Sequence, residues 1–181
     1  MGGADKALLP LAGSPLVCHA ADRLEPQVEA LAISANGDPA RFARLGLPVL
    51  PDAAPQGPLS GLLAALEWAA AQGASALVTV AVDTPFFPPD LVPRLILAAE
   101  TAGTPVALAE SGGRVHPTFG LWPVGLRDDL RATLLRGEAR VMDFARRHSF
   151  APASFPQDAA FLNLNTPEDL ARAEALVTGA A

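Results

Sequence analysis

A single cysteine, few basic residues and no long apolar run mark this 181-residue chain, and each scarcity removes a class of protein. Cys18 alone cannot close an intramolecular disulfide or build a cysteine-based metal cage. It falls on the apolar side of an expected helix, where it reads as core filler. Thirteen Lys and Arg stand against nineteen Asp and Glu, a net charge of −6. Such a surface offers no general attraction to nucleic acid or anionic membrane, so a phosphate-bearing ligand needs local donors and a cation. Half of the residues are hydrophobic, yet no run reaches the roughly 20 apolar residues needed to cross a bilayer. Met1-Gly2-Gly3-Ala4-Asp5-Lys6 also lacks a signal-peptide core. The expectation is a soluble, cytoplasmic protein of one domain over residues 1–181, without repeat, linker or low-complexity segment.

What is present is a rhythm of short apolar runs and helical patterns. Ala76-Leu77-Val78-Thr79-Val80-Ala81-Val82 is too short for a typical helix and too uniformly apolar for a strand with one wet face. It reads as a central strand of a parallel sheet, ending in Asp83. In open α/β sheets ligands meet residues just beyond the carboxyl ends of strands, which gives Asp83 either a ligand role or a plain turn role with Thr84-Pro85. Ser14 as N-cap and Pro15 as first residue open a helix that Pro26 stops. Residues 29–35 read as a buried strand ending in Asn36-Gly37, Asp38-Pro39 starts a short helical segment, and Leu47-Pro48-Val49-Leu50 is a brief strand leading to Asp52. Pro58 opens a helix that Gly73 closes. A helix over residues 89–102 and a strand over 104–109 follow. His116-Pro117 interrupts an extended segment over 114–122, which places that strand at an edge or gives it a bulge. Two helices over 123–136 and 140–148 lead to a weak strand over 150–155 and an alternating stretch, Phe161-Leu162-Asn163-Leu164-Asn165. Thr166-Pro167-Glu168-Asp169 signals the start of the last helix. Alternating strands and helices of this length mean a layered α/β fold with a mainly parallel sheet.

Lys6, Asn36, Asp52, Asp83 and the pair Asn163/Asn165 fall at strand ends or loops on what can be one rim. Gly57-Pro58-Leu59-Ser60-Gly61 adds a tight loop at a helix N-terminus, a place suited to a carbonyl oxygen or phosphate. Each feature has a bland reading as turn, loop carboxylate or local backbone partner. His19, His116 and His148 read as structural, His116 alternatively as part of a substrate pocket.

In order along the chain, six stretches are recognisable together. They are Lys6-Ala7-Leu8-Leu9-Pro10-Leu11-Ala12-Gly13-Ser14-Pro15-Leu16, Ile33-Ser34-Ala35-Asn36-Gly37-Asp38, Gly57-Pro58-Leu59-Ser60-Gly61-Leu62, Val82-Asp83-Thr84-Pro85-Phe86, His116-Pro117-Thr118-Phe119-Gly120-Leu121-Trp122 and Asn163-Leu164-Asn165-Thr166-Pro167-Glu168-Asp169-Leu170. This series resembles the molybdenum cofactor guanylyltransferase family, known as MobA. The resemblance implies a Rossmann-like, three-layer fold of the nucleotide-diphospho-sugar transferase type. It also implies transfer of GMP from GTP to the terminal phosphate of molybdenum-molybdopterin, with release of pyrophosphate. By the same resemblance Lys6 contacts the triphosphate, Asn36 and Asp52 contact the guanine nucleotide, Asp83 binds Mg²⁺, and Asn163 and Asn165 lie near the pterin's phosphate. Transient contact with proteins that deliver and accept the cofactor is part of the expectation.

The chemistry agrees with these residue types. A phosphomonoester has a second pKa of about 6, so the attacking phosphate is already ionised and needs no general base. The requirement is charge cancellation between two anions, and Mg²⁺ is commonly held by one or two carboxylates plus substrate phosphates. The family's first strand and the greater part of its glycine-rich loop have no counterpart ahead of Met1-Gly2-Gly3. The expectation is weak GTP binding by the chain as it stands, restored by an added strand and loop. Two rival readings remain: a cytidylyltransferase or sugar-phosphate nucleotidyltransferase of the same fold, and a non-catalytic partner that binds nucleotide or cofactor.

Overall fold

The structure, a computed structural model, describes residues 5–52, 57–156 and 158–179. Met1-Gly2-Gly3, the expected remnant of the glycine-rich loop, and most of the loop ahead of Pro58 lie outside the described residues.

Eight strands and six α-helices are described. The strands are β1 (Pro10–Leu11), β2 (Ser14–Pro15), β3 (Ile33–Ser34), β4 (Val49–Leu50), β5 (Ala76–Thr79), β6 (Val106–Ser111), β7 (Arg114–Pro123) and β8 (Phe150–Ser154). The helices are α1 (Leu16–Leu24), α2 (Pro58–Ala71), α3 (Leu91–Ala102), α4 (Arg127–Leu135), α5 (Val141–Arg147) and α6 (Pro167–Thr178). Among the described residues the principal sheet has four strands in the order β5-β7-β6-β8. Strands β6 and β8 run parallel, and β7 lies antiparallel to both of its neighbours. Strands β3 and β4 form a separate parallel pair. The sheet is therefore mixed, because the tight turn at Gly112-Gly113 folds β7 straight back beside β6; a parallel neighbour would need a long crossover.

Three layers follow from the alternation of side chains along β6. Ala107 and Ala109 pack with α3 and with Phe119, Leu121, Ala151 and Ala153, while Val106 and Leu108 face α2, α4, α5 and Trp122. Val106, Ala107, Leu108 and Ala109 are all completely buried, so β6, one of the two interior strands, holds the buried central position. That position was expected of the run ending at Asp83. Instead β5 is shorter, ends at Thr79 and, among the described residues, pairs only with β7. None of residues 77–82 is fully buried. Thr79, the one polar residue in that run, accepts a hydrogen bond from the indole Nε1 of buried Trp122 at 3.1 Å. An unpaired indole N–H in that core would carry a desolvation penalty of about 1–3 kcal/mol.

Strand β7 carries the bulge expected at His116-Pro117. Its register with β6 jumps from Leu108↔Gly120 to Ala109↔His116, leaving residues 117–119 without partners, because Pro117 has no N–H to donate. The strand is nonetheless interior. Ser14 does not cap α1: its backbone pairs with Leu11 in a hairpin whose turn, Ala12-Gly13, has positive φ at both residues. Of residues 29–35 only Ile33 and Ser34 form strand. The stretch 161–165 is not a strand either. A 3₁₀ turn at Asp158–Phe161 runs into an extended loop whose Leu164 N–H donates to the carbonyl of Asp83 at 2.7 Å. The last helix starts as its sequence signals, with a reciprocal capping box between Thr166 and Asp169.

Candidate active site

Asp83 lies in the turn after β5, where the Thr84 N–H donates to Ala81. Thr84 is completely buried, and its hydroxyl donates to Asn163 Oδ1 at 2.6 Å. With the Leu164 bond to the Asp83 carbonyl, this fastens the Asn163–Asn165 loop onto the Asp83 turn. Lys6, in a 3₁₀ turn at Lys6–Leu8 that Asp5 caps, completes the group. Its Nζ lies 2.8 Å from Asp83 Oδ2 and 2.5 Å from Asn165 Oδ1. Residues from three distant parts of the chain thus meet at one ammonium group. Lys6 and Asp83 retain 32 % and 23 % of their side-chain exposure, so the pair is reachable from solvent. A partly exposed pair of this kind contributes about 1 kcal/mol or less. A polyanionic ligand can displace it at little cost.

Asn36 and Asp52 form a second cluster. Asn36 Nδ2 donates to Asp52 Oδ2 at 3.2 Å, and the Asp52 N–H donates to Asn36 Oδ1 at 2.8 Å, so two loops are locked side chain to backbone. The first turn of α2 abuts them. A Cβ on Gly61 would stand 2.7 Å from Ser34 Oγ and 3.4 Å from Asp52 Oδ1, which explains glycine there. The two clusters are tied together by Arg41. Its guanidinium donates to Asp5 beside Lys6 and to the backbone carbonyl of Asn36. The six residues expected on one rim are therefore brought into two linked groups.

Sequence reasoning assigned Thr84 only turn chemistry and did not single out Asp5 or Arg41. Arg41 carries no signature of its own beyond its place in a helical segment. The sequence carries a further signal: Lys6 is the only lysine in the chain. The histidines are held structurally. His19 bonds the Leu11 carbonyl, His148 bonds Asp129, and His116 bonds Ser111 while stacking on Phe161 at 4.6 Å between ring centroids. Cys18 is half-buried, and burial first, then the nearby Asp22 charge, pushes its thiol above the usual range. It is thus not a poised nucleophile.

Oxygen donors dominate the first cluster: the Asp83 carboxylate, the Asn163 and Asn165 carboxamides and the Thr84 hydroxyl. This set suits a hard cation, and in this structure the Lys6 ammonium meets two of its members, Asp83 and Asn165, while Thr84 and Asn163 bond each other. Among the described residues no group of three or more His, Cys, Asp and Glu could hold a metal by itself. A divalent ion at Asp83 would accordingly complete its shell with substrate phosphates and water, which is ordinary for Mg²⁺. A cavity of about 550 Å³ lies elsewhere, between β3 and β5 and lined by apolar residues including Leu24, Val28, Leu31, Val78, Val80 and Val92. None of the six candidate residues lines it.

Comparison with known proteins follows the same lines. Residues 1–152 match the family described as MobA-like NTP transferase domain. A protein of Cereibacter sphaeroides named molybdenum cofactor guanylyltransferase is 68 % identical over 177 residues, covering 98 % of this chain and 90 % of its own length. A Bradyrhizobium protein of the same name is 49 % identical over 183 residues, covering 97 % of this chain and 86 % of its own length. Among solved structures, molybdopterin-guanine dinucleotide biosynthesis protein A from Archaeoglobus fulgidus aligns with a TM-score of 0.74 over 98 % of this chain and 92 % of that one, at 21 % identity. The 2-C-methyl-D-erythritol 4-phosphate cytidylyltransferase from Thermus thermophilus aligns at 0.67 over 96 % and 94 %, also at 21 % identity. At such identities the two structures speak for the fold alone.

Proposed function

The chain belongs to the molybdenum cofactor guanylyltransferase family, and from that premise we propose how its residues transfer GMP from GTP to the terminal phosphate of molybdenum-molybdopterin, giving the guanine dinucleotide cofactor and pyrophosphate. The observation that carries the assignment of roles is the meeting of Lys6, Asp83 and Asn165 at bonding distance.

The acceptor phosphate attacks the α-phosphorus of GTP; one P–O bond forms and the bond to the β-phosphate oxygen breaks. Because that acceptor is ionised near neutral pH, no residue has to remove a proton, and the structural confinement of all three histidines is no obstacle. Lys6 leaves Asp83 for the triphosphate, where its ammonium offsets charge on the departing pyrophosphate. Asp83 is the residue that would hold Mg²⁺, which would supply charge screening between the two anions. Asn163 and Asn165 present amide donors to the acceptor phosphate, with Thr84 fixing the rotamer of Asn163. Asn36 and Asp52, already mutually oriented, receive the nucleoside, with Asp52 accepting from a guanine N–H or a ribose hydroxyl. Cofactor-delivering and cofactor-accepting proteins would meet this rim transiently. Among the described residues no helix is long and apolar enough to cross a membrane, which suits the cytoplasmic setting this reading proposes.

The test is product formation from molybdenum-molybdopterin with GTP or CTP over a Mg²⁺ titration, native chain against Asp83→Ala. We expect guanylylated product from the native chain and a loss of about 100-fold or more in the variant, the scale of removing a principal electrostatic group. Equal use of CTP would move the assignment to a cytidylyltransferase. Nucleotide binding without any product would favour a non-catalytic partner.

A further inference from the structure

We infer that Arg41 is a positioning residue that sets the distance between the phosphate end and the nucleoside end of the nucleotide site. The inference rests on the functional reading above for the identity of the two ends.

The guanidinium of Arg41 makes three charge-assisted hydrogen bonds in different directions. Nε donates to Asp5 Oδ2 at 2.6 Å, Nη1 to the Asp38 carbonyl at 2.6 Å and Nη2 to the Asn36 carbonyl at 2.5 Å. The group also lies 4.6 Å from the ring centroid of Phe42, which is 2 % exposed and anchored in the small core formed with Ala7, Val17 and Ile33. Two of these three partners, Asp5 and Asn36, lead to the candidate site residues. Asp5 uses its other oxygen to cap the turn that carries Lys6, accepting from the Ala7 N–H at 3.1 Å. Asn36 receives the Nη2 bond on its backbone, which leaves its carboxamide free to pair with Asp52. Arg41 therefore joins the lysine of the phosphate cluster to the asparagine of the nucleoside cluster through one rigid planar group.

Its packing supports a fixed geometry. Arg41 and Asp5 side chains are 23 % and 35 % exposed, so the pair sits at the surface with only partial screening. Gly37 brings the backbone close: a Cβ there would stand 3.2 Å from Arg41 Nη1, and its φ of +86° suits glycine. A lysine at position 41 would keep the charge but supply one point of attachment where the guanidinium fork supplies three. Charge at this position is thus the lesser part of its contribution. The greater part is that one guanidinium holds Asp5 and the Asn36 backbone at once.

The experiment is calorimetric titration of native, Arg41→Lys, Asp5→Asn and doubly substituted chains with GTP and CTP in Mg²⁺, alongside thermal denaturation. Asp5→Asn retains an oxygen for the Ala7 cap and removes only the charged acceptor. We expect Arg41→Lys to weaken GTP binding by about tenfold or more, in keeping with loss of hydrogen bonds to charged groups. CTP binding should weaken less, so that the GTP-to-CTP preference falls. Asp5→Asn should weaken GTP binding in the same direction, and the double substitution should add little to Arg41→Lys. Unchanged GTP affinity in Arg41→Lys overturns the inference, as does an unchanged base preference accompanied by a lower melting temperature, which marks a purely structural residue. Absence of GTP binding by the native chain also overturns it. Failure of the native chain to make product while these binding differences persist sinks the catalytic reading and leaves the role of Arg41 standing.

Discussion

Lys6 is the only lysine of the chain, so an amine-directed isotopic label reports on one side chain of the site. Reductive methylation with ¹³C-formaldehyde should give one dimethyl-lysine resonance in NMR. Asp83→Asn removes the 2.8 Å ion pair and should move that resonance, while addition of GTP with Mg²⁺ should move it again as the ammonium transfers to phosphate. A resonance indifferent to both would show that Lys6 does not exchange partners. At this scale much is legible in the sequence: Lys6, Asp83, Asn163 and Asn165 stand at strand ends and loops and in stretches that resemble the family, and the structure brings them together. Thr84 and Arg41 were not legible in those roles. Their contribution depends on partners 79 and 36 residues away in sequence, Asn163 and Asp5, whose approach no local pattern records.

Elements show where local signals win and where they yield. The final helix is specified locally, because Thr166, Pro167 and Asp169 supply cap, fixed φ and reciprocal acceptor within four residues. The Asp169 carboxyl is held below its usual range, first by the backbone N–H of Thr166, then by its side chain and by the Asn165 N–H. A carboxyl depressed in the folded state adds stability above its unfolded pKa, and that gain disappears as pH falls through the folded value. The melting temperature of Asp169→Asn should therefore lie below that of the native chain at pH 7, and the gap should close below about pH 4. A pH-independent gap would assign the effect to helix propensity alone. Strand β7 illustrates the opposite case. A Cβ on Gly120 would stand 2.7 Å from Leu108 Cδ2 and 2.8 Å from Trp122 Nε1, so Gly120→Ala should destabilise by about 1–3 kcal/mol in chemical denaturation. The sequence marked Pro117 as the point of irregularity but could not reveal that β7 is interior, since that depends on β5 arriving on its far side.

For the whole molecule the notable feature is a cavity of about 550 Å³ between two short strand pairings, β3 with β4 and β5 with β7. Its lining includes Leu24, Val28, Leu31, Val78, Val80, Val92 and half-buried Trp68. An apolar space of this size attracts apolar solutes from water. The folded chain should enhance the fluorescence of an anilinonaphthalene dye, with the enhancement lost at the same denaturant concentration as the tertiary signal. Native protein that leaves the dye dark would mean that the cavity is closed in solution.

By itself the sequence determined the α/β class, the positions of most helices, the start of α6 and the polar residues of the rim. These depend on period, caps and turn chemistry within a few residues, and the family resemblance suggests the roles proposed for them. Only the tertiary structure decided which strand is central, the direction of β7, and the division of the rim into two clusters joined by Arg41. Those outcomes depend on pairings between segments far apart in the chain, where the same apolar run satisfies an edge or a centre until its neighbours are in place.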